Sequence, residues 1–483
     1  MLNVDVDDKL REECGVLGIF GRGLDIVRLG YFGLFALQHR GQESAGLAVA
    51  DGTSIHSHKG VGLVSEAFAE EHIAFLSSHN PHLGVGHVRY STAGASDLAS
   101  SQPLIQQDQG VGKLQIALAH NGNLVGVSEL RAELLAGGAH FVTLSDTEVI
   151  LKLLLREYTG DLSAALVRTL VAIRGAYSLV LCTPEKLIGV RDPHGFRPLC
   201  LGSLGTGYIL ASESAAILAL GGEVVRDILP GELVTIDDSG PHFHQYAQRQ
   251  QSSCIFEYVY FARNDSTIDG LNVYNARVAL GRRLAEEYPA LADLVISVPD
   301  SGTPAALGYA ASADLPYGEG LVKNRYVGRT FIQPSQALRE LKVLLKFTPN
   351  AAILRGKRVV IVDDSIVRGT TMELLVSALR QAGASEVHVR ISCPPYTNPC
   401  FFGIDTPSCR ELMANRSDTE GIRHLIGADS LGYLSLGGIL EVLSGGERQF
   451  CLGCFTGEYP LDVSCQEQEF MRPRPEEWGD VRG

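Results

Sequence analysis

Apolar and polar positions divide this chain into two textures. Up to about residue 237, short β-like runs such as LGVGHVRYSTAG (83–94) and LQIALAHNGNL (114–124) are separated by Gly and Asn turns. Within that half, Val149, Ile150, Leu153 and Leu154 recur at helical spacing and predict a helix from Asp146 to Glu157. The segment DDSGPHFHQYAQRQQ (237–251) is polar and rich in turn formers, which predicts a domain junction. Beyond it strand and helix patterns alternate. LVISV (294–298) precedes a helical pattern from Thr303, VVIV (359–362) precedes MELLVSALRQAG, and VHVRIS (387–392) follows. Such alternation implies βαβ units and a parallel sheet. No internal repeat or low-complexity tract interrupts the pattern. The last residues, QEQEFMRPRPEEWGDVRG, are charged and broken by Pro, so loose order is expected there.

Composition narrows the class. A chain of 483 residues should hold two or three domains, and 45% apolar with 20% charged residues is ordinary globular usage. No stretch approaches the ~20 apolar residues of a membrane span. The opening MLNVDVDDKLREE is acidic and lacks an apolar core, unlike a secretory signal, so a cytoplasmic location is expected. The net charge of −14 argues against a nucleic-acid partner. One region departs from that balance: residues 321–358 carry Lys323, Arg325, Arg329, Arg339, Lys342, Lys346, Arg355, Lys357 and Arg358 against the single acid Glu340. A local positive field of this kind can attract an anionic ligand. Ten cysteines in a cytosolic chain are core residues or metal ligands rather than a disulfide framework.

The run VVIVDDSIVRGTT (359–371) carries the densest chemistry. Four β-favouring residues end at two acids, and a short loop then opens onto a helix N-terminus. Free backbone N–H groups there suit a phosphate, whereas Asp363 and Asp364 suit ribose hydroxyls and Mg²⁺. The segment resembles the phosphoribosyl-diphosphate signature of the type I phosphoribosyltransferases. That resemblance implies that Asp363 and Asp364 face the ribose and metal, and that Ser365, Ile366, Val367, Arg368, Gly369, Thr370 and Thr371 wrap the 5′-phosphate. It also implies a pyrophosphate loop in VPDSGTPAALGYA, with Ser301 helping to hold Mg²⁺ beside Gly302, and a closing loop bearing Lys323 and Tyr326.

Cys14, in ECGVLGIF, would by itself pass for a buried strand cysteine, and Asn121-Gly122 for a hairpin turn. Their companions, LQHRGQESAG (37–46), HVRYSTAG (87–94), HNGNL (120–124) and SDTE (145–148), together resemble the glutaminase domain of class II glutamine amidotransferases. These are N-terminal-nucleophile hydrolases, in which the catalytic Cys uses its own α-amine as base. With Cys14 internal, residues 1–13 would be a propeptide. The resemblance further implies that Asn121 and Gly122 form an oxyanion hole and that Arg40, Arg89, Thr92 and Asp146 belong to the glutamine site. His39, His87 and His120 show no ligand spacing and are expected to be packed or hydrogen-bonded.

CLGC (451–454) alone could be a redox pair, half a zinc site or chance. Its context, with SSCIFEYVYFARNDS and NPCFFGIDTP, is similar to an iron–sulfur subgroup in which Cys254, Cys400, Cys451 and Cys454 hold a [4Fe–4S] cluster. Four-cysteine zinc is the chemical alternative, and Cys393 and Cys409 are possible ligands. Cys182, Cys200 and Cys465 read as structural.

Together the two resemblances imply an α+β and α/β chain: propeptide 1–13, a four-layer αββα amidotransferase domain 14–240, a phosphoribosyltransferase α/β domain 241–460 with the cluster, and a tail 461–483. The expected reaction moves the amide nitrogen of glutamine onto 5-phosphoribosyl 1-diphosphate, with Mg²⁺ as cofactor. Purine-nucleotide feedback inhibitors and a homotetramer are implied as well.

Overall fold

The structure is a computed structural model that describes residues 14–90, 98–107, 114–248, 251–326, 343–406, 409–445 and 448–464. The leader 1–13, Thr92 and Cys465 lie outside the described residues.

Strand β1 (Gly15–Phe20) shows why the first domain needs four layers. Val16 and Phe20 enter one apolar cluster, while Leu17 and Ile19 enter another. Successive strand residues face opposite sides, so a strand that is apolar on both faces must be covered on both. One face packs on helix α1 (Ile26–Ala36) and helix α2 (Glu70–Ser77), through Leu34, Ile73 and Leu76. The other meets Ala117, Val180 and Leu187 of a second sheet. Gly18 marks the tightest approach, where a Cβ would stand 2.7 Å from Val180 Cγ1.

The first sheet runs β11 (Glu223–Asp227), β9 (Cys200–Leu204), β10 (Gly207–Ala211), β1, β4 (Leu83–Arg89), β2 (Ser44–Ala50), β3 (Ile55–Val61). The second runs β13 (Gly240–Gln245), β12 (Glu232–Asp237), β8 (Leu187–Arg191), β7 (Arg174–Cys182), β6 (Gln115–Val125), β5 (Leu104–Gln107). Helices α3 (Asp146–Glu157) and α4 (Leu162–Ala172) cover its outer face with Val149, Leu153, Leu166 and Leu170. The layers therefore follow the expected αββα order. The junction expected from residue 237 is a correction: Gly240–Gln245 pairs with β12 from Asp237↔Gly240 to Glu232↔Gln245. An edge strand whose side chains are mostly exposed reads as a linker, so the boundary placed at 240 moves past Gln245.

In the second domain, β15 (Leu294–Ser297), β16 (Arg358–Asp363), β17 (Glu386–Ile391) and β18 (Ser430–Tyr433) form a parallel sheet in that order. Helices α5 (Val273–Glu287), α6 (Thr303–Ala313) and α7 (Thr370–Gln381) pack on it. Val359 to Val362 are wholly buried, as a two-sided parallel strand requires. The tail also docks earlier than expected, because Leu461 and Val463 pack beside Phe196, Phe401 and Phe402. Among the described residues no helix is long and apolar enough to cross a membrane.

Ile361, fully buried at the centre of the parallel sheet, should be costly to truncate. Ile361→Ala is expected to destabilise the second domain by about 2–5 kcal/mol, read as a lower urea midpoint for that domain's transition.

Candidate active sites

Cys14 immediately precedes β1, and Tyr90 immediately follows its neighbour β4, with Gly15 opposite Val88. That pairing brings the Cys14 sulfur to 3.4 Å from both the backbone N and O of Tyr90. Arg40, in the turn Gln38–Arg40 after α1, donates from Nε to the Cys14 carbonyl at 3.3 Å. The rest of its guanidinium is sealed from solvent between Glu213 and Glu257, at 2.5 and 2.6 Å. Burial works against the charge on Arg40, but Glu257 and Glu213 outweigh it and raise its affinity for the proton. Glu213 in turn accepts from His39, from the Arg263 N–H and from Ser266, and is held well below the usual carboxylate range despite its burial. Arg40 thus reaches the glutamine site through the backbone of Cys14. Glu213 and Glu257 went unnoticed in the sequence, although an acid inside the apolar run IFEYVYF asks for a buried partner.

His87, paired in register with Val16, reaches across the sandwich to the carbonyl of His120 at 3.1 Å. Burial pushes its pKa down to about 3, so it is a neutral strut between the sheets. This contact sets Asn121 and Gly122 opposite the start of β1. They are not a hairpin turn, since both lie within β6, where Asn121 pairs with Ser178 and Gly122 with Tyr177. Asn121 is wholly buried, and neither its side-chain O nor its N has a hydrogen-bond partner. A buried amide left unpaired costs about 1–3 kcal/mol, which a ligand's oxygen would recover. Gly122 has φ +138°, and a Cβ there would stand 2.1 Å from the Ala176 carbonyl oxygen.

Asp146 opens α3, where Ser145 caps the helix by accepting from the Thr147 N–H. Its carboxylate accepts from the Leu124 N–H at 3.2 Å and faces His120 Nδ1 at 3.5 Å. Burial opposes its ionisation, but His120 and these N–H groups prevail and keep its pKa below the ordinary value. Arg89 ends β4, is buried, and has no carboxylate partner among the described residues. A fixed anion and a buried guanidinium are what an amino acid's ammonium and carboxylate require.

The second site lies at the carboxyl ends of β15 and β16. Asp363 and Asp364 are both buried, and the Asp364 N–H donates to Asp363 Oδ1 at 2.9 Å. The Ser301 hydroxyl donates to Asp364. Gly302 is dictated by this close approach, since a Cβ would stand 2.7 Å from the Val362 carbonyl oxygen. Lys323 ion-pairs with Asp300 of the same loop at 2.6 Å. Ser301, Asp363 and Asp364 offer only oxygen donors, the set that fits Mg²⁺. Gly369, at φ +85°, turns the chain into α7, whose first N–H groups lack a side-chain cap. Ile366 and Val367 have buried side chains, so only their backbone could serve a phosphate. Arg368 pairs instead with Glu411 at 3.5 Å. Tyr326 is fully exposed and is not brought to the site. Arg358 pairs with Asp293 at the amino end of β16, so that part of the basic segment faces away from Asp363.

Cys254, Cys400, Cys451 and Cys454 line one small pocket together with Phe256, Phe402 and Tyr459. Two short parallel strands, Ser253–Cys254 and Phe450–Cys451, place Cys254 against Cys451. Burial raises the Cys451 thiol to about 12 and Cys454 well above its ordinary value, so a bound metal would have to supply the charge that deprotonates them. Among the described residues no three of these sulfurs lie within 4.8 Å of one another. A single zinc ion would draw them to about 3.8 Å. Cys393 is buried and donates to the Pro394 carbonyl, Cys182 and Cys200 are core residues, and Cys409 is exposed.

The sandwich with its nucleophile and the parallel sheet with its acid pair define a glutamine amidotransferase joined to a phosphoribosyltransferase. Residues 87–219 match the glutamine amidotransferase domain family and residues 271–399 the phosphoribosyl transferase domain family. The amidophosphoribosyltransferase of Mycobacterium tuberculosis is 48% identical over 94% of this chain and 87% of that protein. The Archaeoglobus fulgidus amidophosphoribosyltransferase is 49% identical over 94% of this chain and all of its own length. The solved glutamine phosphoribosylpyrophosphate amidotransferase of B. subtilis, complexed with ADP and GMP, superimposes with a TM-score of 0.87 at 45% identity, covering 93% of this chain and 98% of that one. The chain belongs to the amidophosphoribosyltransferase family. It hydrolyses glutamine and transfers the ammonia to C1 of 5-phosphoribosyl 1-diphosphate, giving 5-phosphoribosylamine, glutamate and pyrophosphate, the first step of de novo purine biosynthesis.

Asn121→Ala should lower kcat for glutamine hydrolysis by about 10²–10³, with little change in turnover supplied by free ammonia. Arg40→Ala should leave Glu257 and Glu213 buried without their cation, at a cost of roughly 3–5 kcal/mol. The expected readout is a lower thermal midpoint, together with a larger loss of glutamine-dependent than of ammonia-dependent turnover.

Proposed function

We propose that this transferase matures by removal of Met1–Glu13, so that Cys14 becomes its amino terminus. The single observation that carries this reading is the placement of the Cys14 sulfur against Tyr90, across the sandwich from the unpartnered Asn121 amide. A peptide nitrogen cannot accept the thiol proton. A freed α-amine, with a pKa of roughly 7.7–8.0, can. Cys14 then attacks the glutamine amide carbon, Asn121 and the Gly122 N–H stabilise the oxyanion, the amine returns its proton to the departing ammonia, and water hydrolyses the glutamyl thioester to release glutamate and free the thiol. Arg89, with Thr92, holds the substrate carboxylate and Asp146 its ammonium. Arg40 fixes the nucleophile's backbone.

In the second site, Asp363, Asp364 and Ser301 would hold Mg²⁺ and the ribose. When bound, the ion neutralises the diphosphate that leaves from C1. The backbone of Ser365–Thr371 and the start of α7 receive the 5′-phosphate, while the Ser301–Gly302 loop with Lys323 receives the diphosphate. Cys254, Cys400, Cys451 and Cys454 would hold a [4Fe–4S] cluster. Neither half-reaction transfers electrons, so its role is structural or oxygen-sensing. The ADP and GMP bound to the B. subtilis relative support purine nucleotides as feedback inhibitors. The exposed apolar residues Phe32 and Phe35 on α1 are consistent with assembly as a cytoplasmic homotetramer.

Intact-mass analysis of purified active enzyme should give a chain that begins at Cys14; a fully active species beginning at Met1 or Leu2 would refute the maturation step. Anaerobically purified protein should carry about four iron atoms per chain and lose them in Cys400→Ser. Iron-free protein that contains one zinc ion would overturn the cluster assignment.

A further inference from the structure

Strand β3 is the outer edge of the seven-stranded sheet, three strands from β1. His56 stands opposite Val49, Val49 opposite Gly84, and Gly84 opposite Ile19. With about 4.8 Å between strands and about 3.3 Å per residue, His56 lies roughly 20 Å from Cys14. Neither the glutamine chemistry nor the phosphoribosyl chemistry reaches it.

An unusual group of side chains meets there. His56 and His58 share one face of β3, and His72 and His79 come from α2 and the turn that ends it. The rings of His56 and His79 stack with centroids 3.4 Å apart and planes 6° apart, and those of His58 and His72 stack at 3.6 Å. Asp51, in the turn between β2 and β3, brings its Oδ2 to 3.5 Å from His56 Nε2. Its other oxygen is already fixed by the N–H groups of Thr53 and Ser54, at 2.7 and 2.9 Å, and by the Thr53 hydroxyl. One ligand atom from each of Asp51, His56 and His79 lies within 4.8 Å of the other two. His79 Nε2 is buried and has no hydrogen-bond partner.

Each of these facts bears on what could sit there. Tetrahedral N and O ligands at about 2.0–2.1 Å from zinc stand about 3.4 Å apart, which the Asp51–His56 pair already satisfies. A carboxylate whose second oxygen is held by hydrogen bonds has the outer-shell support that metal ligands need. Two imidazoles favour a nitrogen-binding transition metal over Mg²⁺ or Ca²⁺.

We propose that Asp51, His56 and His79 bind a divalent transition-metal ion of the zinc type, with a fourth position left to water. The ion ties the β2–β3 turn, the edge strand and the end of α2 together. It stabilises this edge of the glutaminase and takes no part in catalysis.

The test uses full-length enzyme with its cysteine site loaded, treated with chelator, desalted and titrated with Zn²⁺ and, in parallel, Co²⁺. Wild type should take up about one ion per chain with a rise in thermal midpoint, and the Co²⁺ complex should lack sulfur-to-metal charge transfer. His56→Ala and His79→Ala should each weaken binding roughly tenfold or more, with unchanged iron content and glutaminase turnover. Asp51→Asn, which keeps an oxygen for the turn's N–H groups, should also weaken it. Equal affinity in wild type and all three variants, no uptake by wild type, or a thiolate spectrum would each overturn the assignment.

Discussion

A single buried guanidinium ties the nucleophile to the second domain. Arg40 holds the Cys14 carbonyl with one N–H and meets Glu213 of the first domain and Glu257 of the second with the others. In a medium that excludes water such a group is tolerable only when its charge is matched, and here two carboxylates match it. Removing the second domain would take away Glu257 and open the Arg40 cluster to water. The geometry of the glutaminase site therefore depends on the phosphoribosyltransferase half being in place. Arg191 repeats the arrangement nearby, with Asp269 at 2.7 Å.

A second tie runs through the cysteine-lined cavity. The Asn123 side chain, two residues beyond Asn121, donates to the Phe401 carbonyl at 3.0 Å, and Arg197 donates to that of Phe402. Phe196 stacks on Phe402 at 4.3 Å. The loop that carries Cys400 thus braces the strand that carries the proposed oxyanion donors. A group that gathers four thiolates would stiffen this loop, and through it β6.

Much of the fold was legible in residue order. Helix α3 runs from Asp146 to Glu157 as its apolar spacing predicts, and Val359 to Val362 form the buried parallel strand that their composition predicts. Both follow from local periodicity, which needs no partner to be read. The polar stretch after Asp237 was misleading because an edge strand with exposed side chains lacks an alternating signature. Tyr326 was placed by motif and stands in solvent, while Thr92 falls outside the described residues.

The order of residues pointed to the two chemistries through motifs that resemble two known families: a cysteine ahead of a two-faced strand with its companion motifs, an acid pair at the end of another strand, and a glycine-bearing loop onto a helix. Each is short-range, because a strand end or a helix start carries its own hydrogen-bonding demands. Only the folded chain decided how the halves serve one another. The partners of Arg40 lie more than 170 residues away, at Glu213 and Glu257, and the four cysteines that motif resemblance had grouped are brought to one pocket across 200 residues. Pairing a buried charge or gathering dispersed thiols depends on which surfaces come together, and no local pattern specifies that.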